Sequence, residues 1–163
     1  MRSADSSLNR LVFDFMLRLS YSSELGAATA YGGHAAHIGI AAHREHVLQV
    51  QRDELHHRDE LLAIMEARGV RPWGVLELFF LCFGSCVAFG CRFWGDWASA
   101  FGASLFEVNG VAEYTRLEAL AQALGEDPLL ADFRRMAQQE QAHRDLFLEM
   151  ARGAEAKLPD LQG

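Results

Sequence analysis

Two Glu-x-x-His motifs, each in the middle of an apolar helical stripe, constrain the fold of this chain most. The first motif, Glu54 to His57, interrupts the stripe Val47, Val50, Glu54, His57, Leu61, Ile64. The second, Glu140 to His143, interrupts the stripe Leu129, Phe133, Met136, Glu140, His143, Phe147, Met150. Residues spaced by three and four lie on one helix face, and a face that is otherwise apolar packs in a core. A carboxylate buried there needs compensation, and metal coordination suits this pair.

Two further carboxylates interrupt apolar stripes in the same way. Glu24 lies within Leu17, Ser20, Glu24, Ala27, Tyr31, His34, Ile38. Glu107 lies within Ala100, Ser104, Glu107, Val111, Tyr114, Leu117. The order along the chain is therefore Glu, Glu-x-x-His, Glu, Glu-x-x-His, which is the inward-pointing ligand set of ferritin-like di-iron and di-manganese bundles. A single Glu-x-x-His motif would be weak evidence for a metal site, because chance spacing on a solvated helix face also produces one.

The spacing of these motifs predicts an all-α, ferritin-like four-helix bundle of two antiparallel hairpins with an additional apolar crossover helix. Glu54 follows Glu24 by 30 residues and Glu140 follows Glu107 by 33, so each hairpin returns its second ligand to the level of its first. The helical period predicts helices at about 7–41, 44–67, 73–92, 97–123 and 128–152. A chain of 163 residues predicts a single domain over 1–163. The net charge of −7, without a basic stripe, excludes a nucleic-acid partner.

Residues 78–91 form an uncharged apolar run of fourteen residues with tryptophan and arginine at both ends. The run is short for a membrane-spanning helix, which needs about 20 apolar residues. Three interpretations of residues 73–97 remain: a core helix, a helix lying on a membrane surface, or a contact in a homo-oligomer. The run contains all three cysteines, and none of them form a Cys-x-x-Cys pair. The sequence shows no signal peptide. We therefore expect a cytoplasmic protein, peripheral on the inner face of a membrane if the second interpretation holds.

Several of these motifs resemble those of the demethoxyubiquinone hydroxylases, ferritin-like di-iron monooxygenases of ubiquinone biosynthesis. The residues that carry the resemblance are Ser23-Glu24-Leu25-Gly26-Ala27 with Tyr31-Gly32-Gly33-His34, Asp53 to His57, Arg71-Pro72 before a long apolar helix, Glu107 with Tyr114, and Gln139 to Asp145. The resemblance covers roughly residues 20–150. At Glu113 the family usually has a histidine close to the metal site. Helical geometry places Glu113 on the flank of the Glu107 stripe, so we expect Glu113 at most beside the metal ligands and not as a ligand itself.

The resemblance implies an O2-dependent hydroxylase of a quinone-like, apolar substrate. It implies that Glu24 and His57 bind one iron, that Glu107 and His143 bind the other, and that Glu54 and Glu140 bridge them. Oxygen and imidazole donors suit two iron ions per chain or two manganese ions. No flavin or nicotinamide motif is visible, so electrons must come from an external donor. The alternatives are a ferritin-like or rubrerythrin-like protein that oxidises iron or scavenges peroxide, and a metal-free structural or membrane-surface module.

Tyrosines and histidines near the motifs are candidates for other roles. Tyr31 and Tyr114 lie two turns from the ligands on the same stripes, as candidates to line a substrate channel or relay electrons. The plainer interpretation is that both are core tyrosines with satisfied hydroxyls. His34 lies ten residues from Glu24, about 15 Å along a helix, too far for the same metal. His56 points about 100° away from His57, so His57 is the expected ligand.

Overall fold

Helices account for nearly all of the chain that the structure describes. The computed structural model describes the backbone of residues 2–155 and the side chains of residues 7–154, so residues 1 and 156–163 of the predicted domain lie outside it. It contains four α-helices, α1 Arg2–His37, α2 Ala41–Ala67, α3 Gly74–Leu124 and α4 Leu130–Glu155, with a 3-10 turn at Asp127–Leu129. No strand occurs within residues 2–155, so the predicted all-α class is confirmed.

The expected end of the first helix at residue 41 is wrong, because α1 ends at His37. The backbone N–H of Gly39 is hydrogen-bonded to Asp96 Oδ1 at 3.3 Å, and Ile40 is extended before α2 begins. The backbone N–H of Gly39 thus pairs with a residue 57 positions away instead of continuing the helix. The last helix also starts at Leu130 instead of residue 128, since Asp127–Leu129 form a 3-10 turn.

The third and fourth predicted helices, 73–92 and 97–123, are two arms of α3 that meet at Gly95. This glycine has φ 71° and ψ 171° inside an otherwise helical segment, a conformation that residues with a Cβ rarely adopt. The predicted break near Gly95 and Asp96 is therefore confirmed as a kink. We refer to residues 74–94 as the N-terminal arm of α3 and to residues 96–124 as the C-terminal arm.

The two arms of α3 pack on α1 in opposite directions. The N-terminal arm runs parallel to α1, because Phe80 lies against Gly26 while Ala88 lies against Gly33. The backbones approach so closely that a Cβ on Gly84 would lie 2.2 Å from the Gly26 carbonyl oxygen. The C-terminal arm runs antiparallel to α1, and it also packs on α4. Side chains of α2 and α4 meet at the level of the motifs, where His57 Nδ1 lies 2.9 Å from Glu140 Oε1 and His143 Nδ1 lies 3.2 Å from Glu54 Oε1.

Two apolar clusters fill the bundle, one on each side of the motif residues. One cluster contains Phe13, Leu17, Leu61, Met65, Tyr114, Leu117, Phe133 and Met136. The other contains Tyr31, Ala35, Val47, Val50, Ala100, Ala103, Phe147 and Met150. On every helix the motif residues fall between the members of these two clusters along the sequence. Burial of the clusters, at roughly 25 cal/mol per Å² of apolar surface, therefore holds a polar layer in the middle of the bundle.

The N-terminal arm of α3 exposes most of its apolar side chains. Phe79 is 61% exposed, Phe89 65% and Phe93 68%, and Trp73 and Trp94 at its ends are also exposed. By length and composition α3 could cross a membrane, although only 11% of its most apolar 18-residue window is buried in the protein. The exposure contradicts the interpretation of this segment as a core helix. A membrane surface and an oligomer contact remain as interpretations.

Candidate metal centre

The six acidic and histidine residues predicted as metal ligands converge in the polar layer of the bundle. Glu24 comes from α1, Glu54 and His57 from α2, Glu107 from α3, and Glu140 and His143 from α4. All six are buried, with His143 the most exposed at 7%. They form two groups, each offering ligand atoms within 4.8 Å of one another: Glu24, Glu54, His57 and Glu140, and Glu54, Glu107, Glu140 and His143. Glu54 and Glu140 belong to both groups.

Four buried atoms of this layer have no hydrogen-bond partner among the described residues. They are Glu54 Oε1, His57 Nδ1, Glu140 Oε1 and His143 Nδ1. They lie close together, since His57 Nδ1 is 2.9 Å from Glu140 Oε1 and His143 Nδ1 is 3.2 Å from Glu54 Oε1. Buried polar atoms are almost always paired, and carboxylate oxygens with imidazole nitrogens are good donors for iron or manganese. The unpaired atoms therefore fit metal ions.

The outer nitrogen of each histidine is held by a residue that precedes a motif glutamate. His57 Nε2 lies 3.2 Å from Gln139 Oε1, which also accepts a hydrogen bond from Arg135. His143 Nε2 lies 3.1 Å from Asp53 Oδ2. An acceptor at Nε2 places the ring proton there and leaves the Nδ1 lone pair facing inward, as a metal ligand requires. Sequence reasoning missed the roles of Asp53 and Gln139, whose only signal was their position directly before Glu54 and Glu140.

Burial and crowding of negative charge make this layer hold protons when no cation is bound. Burial, and then the neighbouring carboxylates, raise the pKa of Glu54 and of Glu140 well above the usual value. Burial lowers the pKa of His143, but the nearby carboxylates of Glu107 and Asp53 outweigh this effect, so the net shift is upward. Divalent ions would displace these protons, because metal ligands must be deprotonated.

Tyr31 and Tyr114 each donate a hydrogen bond to a motif carboxylate on the other helix. Tyr31 of α1 donates to Glu107, and Tyr114 of the C-terminal arm donates to Glu24. Burial, and then the nearby carboxylates, raise the pKa of both hydroxyls well above 10, so both stay neutral donors. The interpretation of these residues as core tyrosines with satisfied hydroxyls fits both contacts. Tyr31 also lines a cavity beside the motif carboxylates, whereas Tyr114 lines neither this cavity nor the one that adjoins it.

A cavity of about 270 Å³ reaches the four motif carboxylates from the side of α3. Three aromatic rings from both arms of α3, Phe80, Phe83 and Phe106, form its apolar wall. Gly110 lies at its base, where a Cβ would come within 2.2 Å of Glu140 Oε2. The space that Glu140 occupies therefore depends on this glycine. Ser23, Asn109 and Glu113 also line the cavity, and these polar residues join an otherwise apolar wall.

A second cavity of about 360 Å³ adjoins the first, and His34 is one of its lining residues. The two cavities share the lining residues Ala30, Tyr31, Phe83 and Phe106. His34 is 3% exposed and stacks on Phe147, and neither ring nitrogen has a hydrogen-bond partner within the described chain. Burial lowers the pKa of His34 to about 4, so the ring is neutral near pH 7. As expected from its spacing, His34 belongs to neither group of ligand atoms.

A helical bundle that buries four carboxylates and two histidines at its centre, with unpaired donor atoms, could hold metal ions there. The sequence matches the family model described as Ubiquinone biosynthesis protein COQ7 over residues 12–159. The chain therefore belongs to the COQ7 family and to ubiquinone biosynthesis, which confirms the resemblance inferred from the motifs. Comparison with curated proteins gave no match, and neither did comparison with solved structures.

Proposed function

We propose that this chain is a di-iron monooxygenase that uses O2 to hydroxylate a quinone-like ring. The observation that carries the proposal is the pair of overlapping ligand groups beside an apolar cavity. Glu24 and His57 would bind one ion, and Glu107 and His143 the other. Glu54 and Glu140, which belong to both groups, would bridge the two. The helix order and the two hairpins agree with a ferritin-like arrangement in which the N-terminal arm of α3 is the added crossover helix.

Charge balance supports two divalent ions in this layer. Four ionised carboxylates carry four negative charges, which two divalent cations neutralise, and the two imidazoles add neutral donors. Six protein ligands leave open coordination positions on two ions, because iron and manganese commonly take more ligands than three each. Iron held there would activate O2 for insertion of one oxygen atom into the ring. Manganese fits the same donor atoms, and iron is the ion that suits the proposed reaction.

The shape of the cavities supports a flat, apolar substrate. A volume of about 270 Å³ lies just below the usual range of ligand pockets, roughly 300–1,000 Å³, so it suits a single substituted ring. Phe80, Phe83 and Phe106 would pack on the ring and exclude water from the carboxylate layer. The adjoining second cavity would take an apolar substituent of the ring. The small residues Gly26, Ala27 and Gly110 are among those that line this space.

The exposed N-terminal arm of α3 supports delivery of such a substrate from a membrane surface. The arm supplies Phe80 and Phe83 to the cavity wall and exposes Phe79, Phe89 and Phe93 to the outside. An apolar substrate could then pass from lipid to the cavity without crossing water. We therefore propose a cytoplasmic protein bound peripherally through residues 73–97, with a homo-oligomer formed by the same surface as the alternative. Electrons would come from an external donor.

A single-turnover experiment with isotopic oxygen tests this function. The chain is loaded anaerobically with ferrous iron, mixed with a reduced demethoxyquinone analogue and exposed to ¹⁸O₂, and the product is weighed by mass spectrometry. One ¹⁸O atom in the ring is expected for the wild type, and none for Glu54→Ala, which removes a bridging ligand. Rapid iron oxidation without labelled product would favour the alternative of an iron-oxidising or peroxide-scavenging protein, which uses the same six side chains.

A further inference from the structure

Glu113 is a fifth acidic side chain in the cavity, separate from the six motif residues. It lines the cavity together with Glu24, Glu54, Glu107 and Glu140, but it belongs to neither group of candidate ligand atoms. Its side chain is partly buried between α1 and the C-terminal arm of α3. A molecule that fills the cavity must therefore contact Glu113 as well as the metal layer.

Two serine hydroxyls of α1 fix the orientation of the Glu113 carboxylate. Ser20 Oγ donates to Glu113 Oε2 at 2.9 Å, and Ser23 Oγ donates to the same oxygen at 3.1 Å. No hydrogen bond to Glu113 Oε1 occurs among the described residues. Burial, together with the charge of Glu24, raises the pKa of Glu113 overall, although the hydrogen bonds from Ser20 and Ser23 act to lower it. Donors that converge on one carboxylate oxygen favour its charged form, which leaves Oε1 as a free acceptor.

The charge of Glu113 is left over when the metal layer is balanced. Two divalent ions would neutralise the four motif carboxylates, so Glu113 would remain as a negative acceptor. No ion pair involving Glu113 occurs in the described chain, and the positive charge of Arg116 acts only at a distance. A carboxylate oxygen without a protein donor can accept a charge-assisted hydrogen bond from a bound molecule that carries an O–H group.

We propose that Glu113 Oε1 accepts a hydrogen bond from a ring hydroxyl of the substrate and thereby selects the hydroquinone over the quinone. The inference rests on the proposed function, because that function places the ring in this cavity. A hydroquinone presents O–H donors, whereas a quinone presents carbonyl acceptors that would face the carboxylate lone pairs. Glu113 thus binds and positions the reduced ring, and Ser20 and Ser23 position Glu113.

Binding of a matched redox pair tests the inference. The full chain is loaded with zinc, which has no redox chemistry, and titrated anaerobically with a short-chain methoxyhydroquinone, its quinone and its dimethyl ether. A hydrogen bond to a charged group predicts that the hydroquinone binds at least about tenfold more tightly than the other two. In Glu113→Leu the three ligands should bind with similar affinity. Asn109→Leu, which changes another polar residue of the same cavity, should keep the preference.

A second variant and a second outcome keep the inference separate from the proposed function. Glu113→Gln keeps the size of the side chain and a neutral acceptor, and it replaces Glu113→Leu in the experiment if that variant fails to fold. In Glu113→Gln the preference for the hydroquinone should fall severalfold. Equal binding of the hydroquinone and the quinone by the wild type would overturn the inference alone. An unchanged preference in Glu113→Leu or Glu113→Gln would also overturn it. Failure of every ring to bind would overturn both the inference and the proposed function.

Discussion

The substitution Gly110→Ala should remove metal from the site without unfolding the protein. A Cβ at this position would lie 2.2 Å from Glu140 Oε2 and 2.8 Å from Glu140 Cδ. Contacts of real Cβ atoms are essentially never shorter than 3.0 Å, so the carboxylate must move by at least about 0.8 Å. Metal ligands tolerate deviations of about 0.2 Å. Because Glu140 is the proposed bridge between the ions, both should be affected.

The expected loss of metal affinity is at least about 10- to 100-fold, the range seen when a residue that orients a ligand is changed. Alanine is the better helix former by about 1 kcal/mol, so the metal-free variant should remain folded. Gly102→Ala is the matched control, because it lies in the same helix and its Cβ would meet nothing within 4 Å. Competition with a chelator measures the affinities, and circular dichroism measures folding. Wild-type affinity in Gly110→Ala would refute the reasoning.

Three further predictions concern pH, metal and membrane. The pKa of His34 falls from 6.5 in the unfolded chain to about 4 in the folded one, so its protonation should cost about 2 kcal/mol of stability by pH 5. Urea unfolding should show this loss for the metal-free wild type relative to His34→Leu. Parallel pH profiles of the two proteins would contradict the prediction. Because Glu54 and Glu140 bind metal only when deprotonated, metal affinity should rise with pH, and each ion that binds should release protons. Calorimetry in two buffers measures the number of protons released, and a count of zero would contradict the prediction. The double substitution Phe89→Ser and Phe93→Ser removes two exposed rings and should weaken vesicle binding about 100-fold, from roughly 3 kcal/mol of lost burial. The control is Leu55→Ser, which changes an exposed apolar residue of α2. Equal flotation of the wild type, the double variant and the control with vesicles would contradict a membrane role for this arm.

The periodicity of the sequence predicted the helices and the convergence of the motif residues, because both depend on local spacing. Glu24, Glu54, Glu107 and Glu140 come together because each lies between two apolar halves of its stripe, and the two apolar clusters fix the level of each helix. Gly95 could be predicted as a break for the same local reason. Glycine has no Cβ and therefore adopts the positive φ found at Gly95 readily.

Features that depend on contacts between distant residues could not be predicted in this way. The hydrogen bond from Gly39, just after α1, to Asp96 joins residues 57 positions apart. The hydrogen bonds from Tyr31 to Glu107 and from Gln139 to His57 cross between helices, and spacing within one helix carries no information about them. The exposure of the N-terminal arm of α3 depends on the small residues Gly26 and Gly84, which let the arm approach α1 on one narrow side.

Anomalous diffraction from crystals of the iron-loaded protein tests the central claim, that this layer holds two metal ions. Data collected on either side of the iron edge should show two peaks per chain. One peak should lie within ligand distance of Glu24 and His57 and the other within ligand distance of Glu107 and His143, with Glu54 and Glu140 reaching both. A Glu140→Ala crystal should lose at least one peak. A fully loaded wild-type crystal with no anomalous peak among these six side chains would contradict the account.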